Sequence, residues 1–131
     1  NVPGSALLKQ VEIAVLLDTG PEVVSGSTRM GAGTAQKVAL NMMSTLIGIK
    51  LGHVHDGYMV NVVADNAKLI DRAARIVADI AGVPRSIAEA ALTATGGAVK
   101  PAVLVAQGQS PEAARDRLTK AGGHLALVPN D

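Results

Sequence analysis

The chain has 131 residues, 48% hydrophobic and 18% charged, which is enough apolar material for one globular core. A net charge of +1 gives no electrostatic reason to bind nucleic acid, and a single Tyr without Trp or Phe leaves no stacking platform for single strands. No apolar run approaches the roughly 18 residues of a spanning helix, and no signal-peptide pattern opens the chain. We therefore expect a cytoplasmic protein without nucleic-acid or membrane partners. The absence of Cys excludes disulfides and thiol nucleophiles.

Residues 11–17 predict the first regular element. They read Val-Glu-Ile-Ala-Val-Leu-Leu, an apolar run typical of a parallel strand that helices cover on both faces. Parallel neighbours need crossover connections of about a dozen residues or more, and only ten residues precede this run. The sequence therefore predicts one clear strand of an α/β sheet whose other strands lie elsewhere, so that the chain begins inside a domain.

A helix is predicted from about Thr34, as its cap, to about Lys50, with Gly52 as its stop. Its apolar residues recur at the spacing of one helical face. They are Val38, Met42, Leu46 and Ile49. Residues 53–64 predict an extended or irregular segment that makes a short strand or a packed loop.

A second long helix is predicted after Asp65 or Asn66, either of which can cap it, and ends at Gly82. Its apolar stripe consists of Leu69, Ala73, Ile76 and Ile80. Residues 83–127 predict a small unit of three short helices: one opened by Pro84 and Ser86, one over about residues 99–106, and one opened by Ser110-Pro111-Glu112. Two of these segments run into double glycines, which we interpret as helix C-caps.

The loop and helix start at residues 19–37 contain the candidate site. They leave the carboxyl end of the predicted strand, the edge at which open α/β sheets bind ligands. Hydroxyls, a guanidinium and backbone amides made approachable by glycine suit an anionic, hydroxylated ligand. The candidate substrate-binding residues are Glu22, Ser25, Ser27, Thr28, Arg29, Thr34 and Lys37. The glycines match neither common nucleotide fingerprint, so a nucleotide is not indicated. A Gly- and Ser-rich connection with a satisfied helix cap is the structural alternative.

Residues 20–45 closely resemble a known signature. The block reads Gly-Pro-Glu-Val-Val-Ser-Gly-Ser-Thr-Arg-Met-Gly-Ala-Gly-Thr-Ala-Gln-Lys-Val-Ala-Leu-Asn-Met-Met-Ser-Thr. It resembles the N-acetylmuramic acid 6-phosphate etherases and, more distantly, the glucokinase regulatory proteins. The similarity continues through residues 59–62 and 66–69 and covers nearly the whole chain. Gly31 stands where the family usually has Lys, which removes a possible phosphate contact, and Asn61 where it usually has Asp.

The resemblance implies a cytoplasmic, cofactor-independent homodimer of the sugar-isomerase (SIS) fold. Such an enzyme removes D-lactate from N-acetylmuramic acid 6-phosphate and leaves N-acetylglucosamine 6-phosphate, in peptidoglycan recycling. It also implies that residues 1–82 are the C-terminal portion of the three-layer, parallel-sheet domain, and residues 83–131 a three-helix, UBA-like subdomain. The two glutamates that serve as acid and base in the family lie upstream of Asn1. No catalytic residue is therefore assigned, and we expect the fragment alone to be inactive.

Each candidate residue has a functional interpretation and a structural alternative. Arg29 with Ser27 and Thr28 is favoured for contact with the ligand or a partner subunit, against a structural ion pair. Glu22 is a candidate to orient a sugar hydroxyl or to assist proton transfer. The alternative is that its carboxylate only interacts favourably with the helix dipole or with solvent. Lys37 reaches an anion at the helix start, or it is solvated surface.

Two further groups of residues receive structural interpretations. His53 and His55 share one side of an extended segment, but no third ligand is evident and His124 is remote, so no metal is expected. The methionines fill gaps in a core or dimer contact. They are Met30, Met42, Met43 and Met59.

Two other functions stay open at this point. One is a non-catalytic regulatory module that senses a phosphosugar, as the similar regulatory proteins do, and glutamates upstream would discriminate it from the enzyme. The other assigns protein binding to residues 83–127, which a large exposed apolar patch there would support.

Overall fold

The computed structural model describes residues 1–129, which are mixed α/β and mostly helical. In chain order the elements are α1 (Ala6–Gln10), a π-helical turn (Arg29–Gly33), α2 (Thr34–Lys50), β1 (Val54–His55), β2 (Tyr58–Met59), α3 (Ala67–Ala81), α4 (Arg85–Ala94), α5 (Val99–Ala106), α6 (Pro111–Lys120) and a 3-10 turn (Leu125–Leu127). Internal contacts divide the chain into a first unit, Asn1–Leu46, and a second unit that begins at Ile47. The assignment of residues 1–82 and 83–131 to two domains stays a prediction.

The strand predicted at residues 11–17 does not form, and that prediction is wrong for this chain: the segment has bends and no ladder partner. A strand satisfies its N–H and C=O groups through a neighbour, and no described residue of the first unit forms another strand. The apolar side chains of this run stand in solvent, with Ile13 83% and Val15 63% exposed. The pattern is that of a strand, but the sheet it needs is not among these residues.

Helix α2 confirms the predicted helix but begins differently. Thr34 is not its cap: its φ and ψ of −67° and −44° are already helical, and the π-helical turn leads directly into α2. The Thr34 hydroxyl instead donates to the carbonyl oxygen of Arg29, at 3.2 Å. The stop at Gly52 is confirmed, since its N–H donates to the Ile49 carbonyl at 3.0 Å.

No residue of α1, the π-helical turn or α2 is buried. The predicted apolar face of α2 is more than half exposed at Val38, Met42 and Leu46, at 52%, 60% and 58%. Leu40 and Met43, which point away from that face at about 100° per residue, are 64% and 58% exposed. Helix α2 is thus apolar over most of its circumference, a pattern typical of helices buried on more than one side.

The second unit opens with a hairpin, in agreement with the extended segment predicted at residues 53–64. Strands β1 and β2 are antiparallel, with Val54 opposite Met59 and His55 opposite Tyr58. The two residues between them, Asp56 and Gly57, have φ of 47° and 79°, as a tight hairpin turn requires.

Helices α3 to α6 confirm the predicted helices within one or two residues. Asn66 is the cap of α3, since its side chain accepts from the N–H of Leu69 at 3.0 Å, and Gly82 ends that helix in the left-handed region. Ser110 caps α6 in the same manner, accepting from the Ala113 N–H at 3.2 Å. Local capping chemistry therefore sets these boundaries.

One core holds the second unit together. Helix α3 packs against α4 and α5, and α5 also packs against α6. The buried hydrophobic residues are Val60, Ala73, Ala74, Ile76, Val77, Ala88, Ala91, Leu92, Val99, Ala102, Val103, Leu104, Ala114, Leu118, Leu125 and Val128. Many are alanines, so the helices approach closely. The buried hydroxyl of Thr95 donates back to the Ala91 carbonyl at 2.9 Å, which satisfies it within the core.

Candidate functional site

The segment before α2 is shaped by backbone hydrogen bonds. The N–H of Ser27 donates to the Val24 carbonyl at 3.0 Å, which closes a turn through Gly26. The N–H of Gly33 donates to the Thr28 carbonyl at 2.8 Å, a five-residue spacing that defines the π-helical turn. These two turns bring residues 22–34 into one compact segment of the first unit.

Glu22 lies across the start of that helical turn. Its Oε2 accepts from the N–H of Gly31 at 2.8 Å, and its Oε1 accepts from the N–H of Ala32 at 2.9 Å. The first amides of a helix have no partner within the helix, and the dipole there favours an anion. The carboxylate of Glu22 therefore occupies the position that a bound anion would take, which favours the structural alternative for this residue.

Gly31 leaves the room that Glu22 uses. A Cβ at this position would lie 3.0 Å from Oε2 and 3.1 Å from Oε1 of Glu22. The small residue thus accompanies a carboxylate held against the backbone. The family that residues 20–45 resemble usually has a lysine at this position. A lysine here would require the Glu22 carboxylate to move.

The remaining candidates lie before and after this helix start in the sequence. Ser25, Thr28, Arg29, Thr34 and Lys37 are exposed, whereas Ser27 is partly buried. Within residues 1–129 neither Arg29 nor Lys37 takes part in an ion pair. The seven candidates thus lie on one continuous segment, in which Arg29 and Lys37 have no described ion pair and the carboxylate of Glu22 is already engaged.

The groups with perturbed pKa values lie in the second unit, away from this segment in sequence. A hydrogen bond to Asp79 and the charge of that carboxylate raise the pKa of Tyr58. Hydrogen bonds to Glu89 and Asp71 raise the pKa of Arg85, and burial lowers the pKa of Lys100. These shifts follow from the packing of the helical unit and do not mark an acid or base at the candidate site.

The histidines show no metal arrangement. His55 Nε2 lies 3.6 Å from Asp56 Oδ2, and the ring of His124 packs against Gly52. Among residues 1–129 no three groups of the kind that ligate metals come together. In the same range, no helix is both long enough and apolar enough to cross a membrane.

One polar group was missed by the sequence interpretation. Gln109, in the turn after α5, lines a cleft of the second unit, and its Oε1 is buried and accepts no hydrogen bond from residues 1–129. The cleft collects residues from separate elements between His55 and Pro129, so no local sequence pattern identifies it.

Nearly the whole chain is similar in sequence to known proteins that share one name. It is 50% identical over 129 residues to a protein of Deinococcus radiodurans named N-acetylmuramic acid 6-phosphate etherase, an alignment that covers 98% of this chain and 42% of that protein. Proteins of the same name from Serratia proteamaculans and Yersinia pestis are 48% identical over 124 residues, covering 94% of the chain and 42% of each. The chain is thus similar to these etherases over nearly its full length.

The similarity confirms the resemblance that the loop predicted, and it extends along nearly the full chain. The matched part is the C-terminal portion of the etherases. The chain spans less than half the length of the curated relatives it matches. No family model matches the chain.

Proposed function

We propose that this chain is the C-terminal portion of an N-acetylmuramic acid 6-phosphate etherase. The complete enzyme, a carbon–oxygen lyase, cleaves the D-lactyl ether of its substrate to N-acetylglucosamine 6-phosphate and D-lactate, in amino-sugar catabolism and peptidoglycan recycling. Identity of 50% across 98% of the chain to a protein of that name is the observation that carries the proposal.

The lack of a core in the first unit supports this assignment. Residues 11–17 have the composition of a buried strand but no strand partner, and α2 is apolar over most of its circumference but has no buried residue. Both features are expected if residues 1–46 complete a larger sheet-and-helix domain whose remaining strands lie in the part of the enzyme that the relatives have in addition. Residues 1–82 are then proposed to belong to a SIS-type domain.

In that enzyme the segment 22–37 contributes binding contacts. Arg29 is proposed to fork onto the substrate's phosphate or carboxylate, because its guanidinium is exposed and free of described ion pairs. Ser27 and Thr28 supply hydroxyls beside it, and Ser25, Thr34 and Lys37 complete the polar border of the same segment. The guanidinium would fix the anionic group while chemistry proceeds at the ether.

The acid and base are proposed to come from outside this chain. β-Elimination of lactate needs a base for the proton beside the sugar carbonyl and an acid for the departing oxygen, and water then adds to the resulting double bond to give N-acetylglucosamine 6-phosphate. Glu22, the only carboxylate of residues 19–37, has both oxygens engaged by backbone amides, at 2.8 and 2.9 Å. It is therefore poorly placed to exchange protons with a substrate, and its proposed role is to hold the start of α2.

A chimera tests the proposal. The upstream portion of the Deinococcus radiodurans relative is joined to this chain in place of its own matched region, and D-lactate release from N-acetylmuramic acid 6-phosphate is measured. We expect the chimera to release lactate and this chain alone to release none. Arg29→Gln in the chimera should lower kcat/KM by about tenfold to a hundredfold, because a charge-assisted hydrogen bond contributes about 1.5–3 kcal/mol.

The matched control is Arg72→Gln, which removes an exposed guanidinium from α3 and should leave kcat/KM within about twofold. A folded chimera that binds the substrate but releases no lactate would contradict the enzymatic proposal and support the regulatory phosphosugar module. Lactate release by this chain alone would show that its own residues include the acid and base.

We further propose that the enzyme works without a cofactor, because the chemistry needs only proton transfers, and in the cytoplasm, because the phosphosugar substrate is polar. We also propose that it is a homodimer, as the resemblance implies. Sedimentation of the active chimera measures the subunit number. A monomer that retains full activity would contradict the dimer.

A further inference from the structure

The side chain of Glu22 closes a loop of the first unit. Its two carboxylate oxygens accept from the N–H groups of Gly31 and Ala32, at 2.8 and 2.9 Å, so the residue before the loop is joined to the residues after it. The loop between these contacts consists of residues 23–30. It contains four of the candidate binding residues, namely Ser25, Ser27, Thr28 and Arg29.

Apolar packing does not hold this loop in the chain. The side chains of Val23, Val24 and Met30 are 87%, 61% and 69% exposed, so none of them anchors the loop in a core. The hydrogen bond from the Ser27 N–H to the Val24 carbonyl forms a local turn and does not connect the two ends. The contacts of the Glu22 carboxylate do connect them, and we therefore call this carboxylate with its two amides the latch.

The far end of the loop is also fixed to the helix that follows. The N–H of Gly33 donates to the Thr28 carbonyl at 2.8 Å, and the hydroxyl of Thr34 donates to the Arg29 carbonyl at 3.2 Å. The backbone of Thr28 and Arg29 is thus held through its carbonyl groups, and the latch holds the next residues through their amides. The guanidinium of Arg29 extends from this fixed backbone and is exposed.

A loop that is ordered before binding does not lose that conformational freedom when a ligand arrives. With the ends of residues 23–30 apart, ligand contacts would have to order the loop, and the entropic cost of closure grows with loop length. A carboxylate that never touches the ligand can therefore raise its affinity. Because the reacting atoms are not involved, this effect changes KM and leaves kcat largely as it is.

We propose that Glu22 is a positioning residue: its latch keeps residues 23–30 closed and thereby presents Arg29, with Ser27 and Thr28, to the anionic group of the substrate. This inference rests on the proposed function and deepens it, since it gives a binding role to a residue that does not itself contact the substrate. Gly31 is part of the latch, because a Cβ there would lie 3.0 Å from Oε2 of Glu22.

The test is steady-state kinetics of the chimera with Glu22→Gln, which nearly keeps the side chain's shape but replaces one acceptor oxygen by an NH₂ group. We expect KM to rise about tenfold while kcat stays within about twofold, because loop closure is weakened and the chemistry is not. Glu112→Gln, which removes an exposed carboxylate from α6 in the second unit, is the matched control and should change neither constant.

A double variant shows whether Glu22 acts through Arg29. Residues that act as a unit have non-additive effects, so Glu22→Gln combined with Arg29→Gln should raise KM by less than the product of the two single effects. A fully multiplicative effect would overturn the proposal. A lower kcat at unchanged KM in Glu22→Gln would also overturn it, because Glu22 would then act in the chemical step, and so would kinetic constants that Glu22→Gln leaves unchanged.

Hydrogen exchange of the same chimera, followed by mass spectrometry, tests the latch without turnover. The peptide that contains Gly31 and Ala32 should exchange at least about tenfold faster in Glu22→Gln than in the unmutated chimera. Equal rates would overturn the latch, and so would exchange as fast as in an unstructured peptide in the unmutated chimera, whether or not the variant folds. A chimera that releases no lactate would contradict the proposed function, and the exchange rates would still decide whether Glu22 closes the loop.

Discussion

The hydroxyl of Tyr58 donates a hydrogen bond to Asp79 Oδ2 at 3.0 Å, so deprotonation of the phenol would break the bond and set two negative charges side by side. The pKa of Tyr58 is accordingly raised above its ordinary value of 10.0. Because this is the single Tyr and there is no Trp, the ultraviolet absorbance of tyrosinate reports this group alone. We expect a titration midpoint above 10.0 that falls toward 10.0 in Asp79→Asn.

The raised pKa of Tyr58 also makes the stability of the fold depend on pH. A folded-state pKa raised above the unfolded value means that the folded state keeps the proton longer. The contribution to stability is therefore complete below the unfolded pKa and is lost as pH rises through the folded pKa. The Asp79→Asn chain should lose less stability over that alkaline interval, and an equal loss in both chains would contradict the assignment.

Glu22 and Gly31 form a pair whose coupling can be measured. In the chimera, Gly31→Ala brings a methyl to about 3 Å from the Glu22 carboxylate and should be neutral or destabilising. Once Glu22→Ala has removed that carboxylate, Gly31→Ala should stabilise by about 0.5–1 kcal/mol, the usual gain of alanine over glycine inside a helix. Denaturant unfolding of the four chains provides the cycle, and strictly additive effects would show that the two positions are independent.

Residue identity nominated residues 19–37 as a binding segment, which stays a prediction, but it did not indicate how the side chains there are used. The composition of residues 19–37 predicts an anion site, and the structure shows that one of its seven candidates, Glu22, is already engaged by backbone amides. The composition could not indicate that Glu22 turns inward onto the amides of Gly31 and Ala32, because side-chain direction depends on the turn at Ser27 and the π-helical turn. Composition has no information about either turn.

At the level of elements, the cap of α3 distinguishes two residues that the sequence left equivalent. Asn66 accepts from the Leu69 N–H, whereas Asp65 accepts only from the side chain of Asn66, at 2.9 Å. Asn66→Ala should lower the free energy of unfolding of the second unit by about 1 kcal/mol, the usual value of an N-cap. Asp65→Ala is the matched control and should cost less. A larger loss for Asp65→Ala would move the cap to that residue.

The double glycine after α4 offers a similar comparison. Both Gly96 and Gly97 have positive φ, at 65° and 80°. A Cβ at Gly97 would lie 2.7 Å from the Ala64 carbonyl oxygen, whereas a Cβ at Gly96 would meet nothing within 4 Å. Alanine at either position carries the left-handed penalty of about 1–2 kcal/mol.

Gly97→Ala should therefore cost about 1–3 kcal/mol more than Gly96→Ala, because only at Gly97 must the backbone of residues 63–64 move as well. Thermal unfolding of the two variants measures the difference. Equal costs would mean that the bridge between Val63 and Ala98 yields without resistance.

Elements whose stability is local were predicted well, and the one that depends on partners was not. Helices α3 and α6 have side-chain caps within their own sequence, and all four helices α3 to α6 bury apolar residues, so the predicted bounds were close to the observed ones. The run at residues 11–17 has the hydrophobicity of a strand, but a strand exists only as a member of a sheet. Neighbouring strands are information that no window of this sequence contains.

In the whole molecule, the two units that divide at Leu46 and Ile47 differ in how well their backbone amides are protected from solvent exchange. The second unit has a continuous core, with Val60 and Val77 at 1% and 0% exposure, whereas the first unit's apolar side chains are largely exposed. Amide hydrogen exchange should therefore be slow in α3 and α5 and fast across residues 1–33 in this chain.

The chimera supplies the comparison. There, exchange across residues 11–17 should slow by at least about tenfold as the predicted strand gains neighbours, while exchange in α5 stays unchanged. Fast exchange at residues 11–17 in an active chimera would contradict their assignment to a sheet.

The open apolar surface of α2 also has a consequence in living cells. Chaperones and proteases recognise hydrophobic surface that a completed enzyme keeps covered, and they remove molecules that display it. The lifetime of this chain in a cell would thus be governed by whether α2 is covered, more than by the stability of its own helical unit.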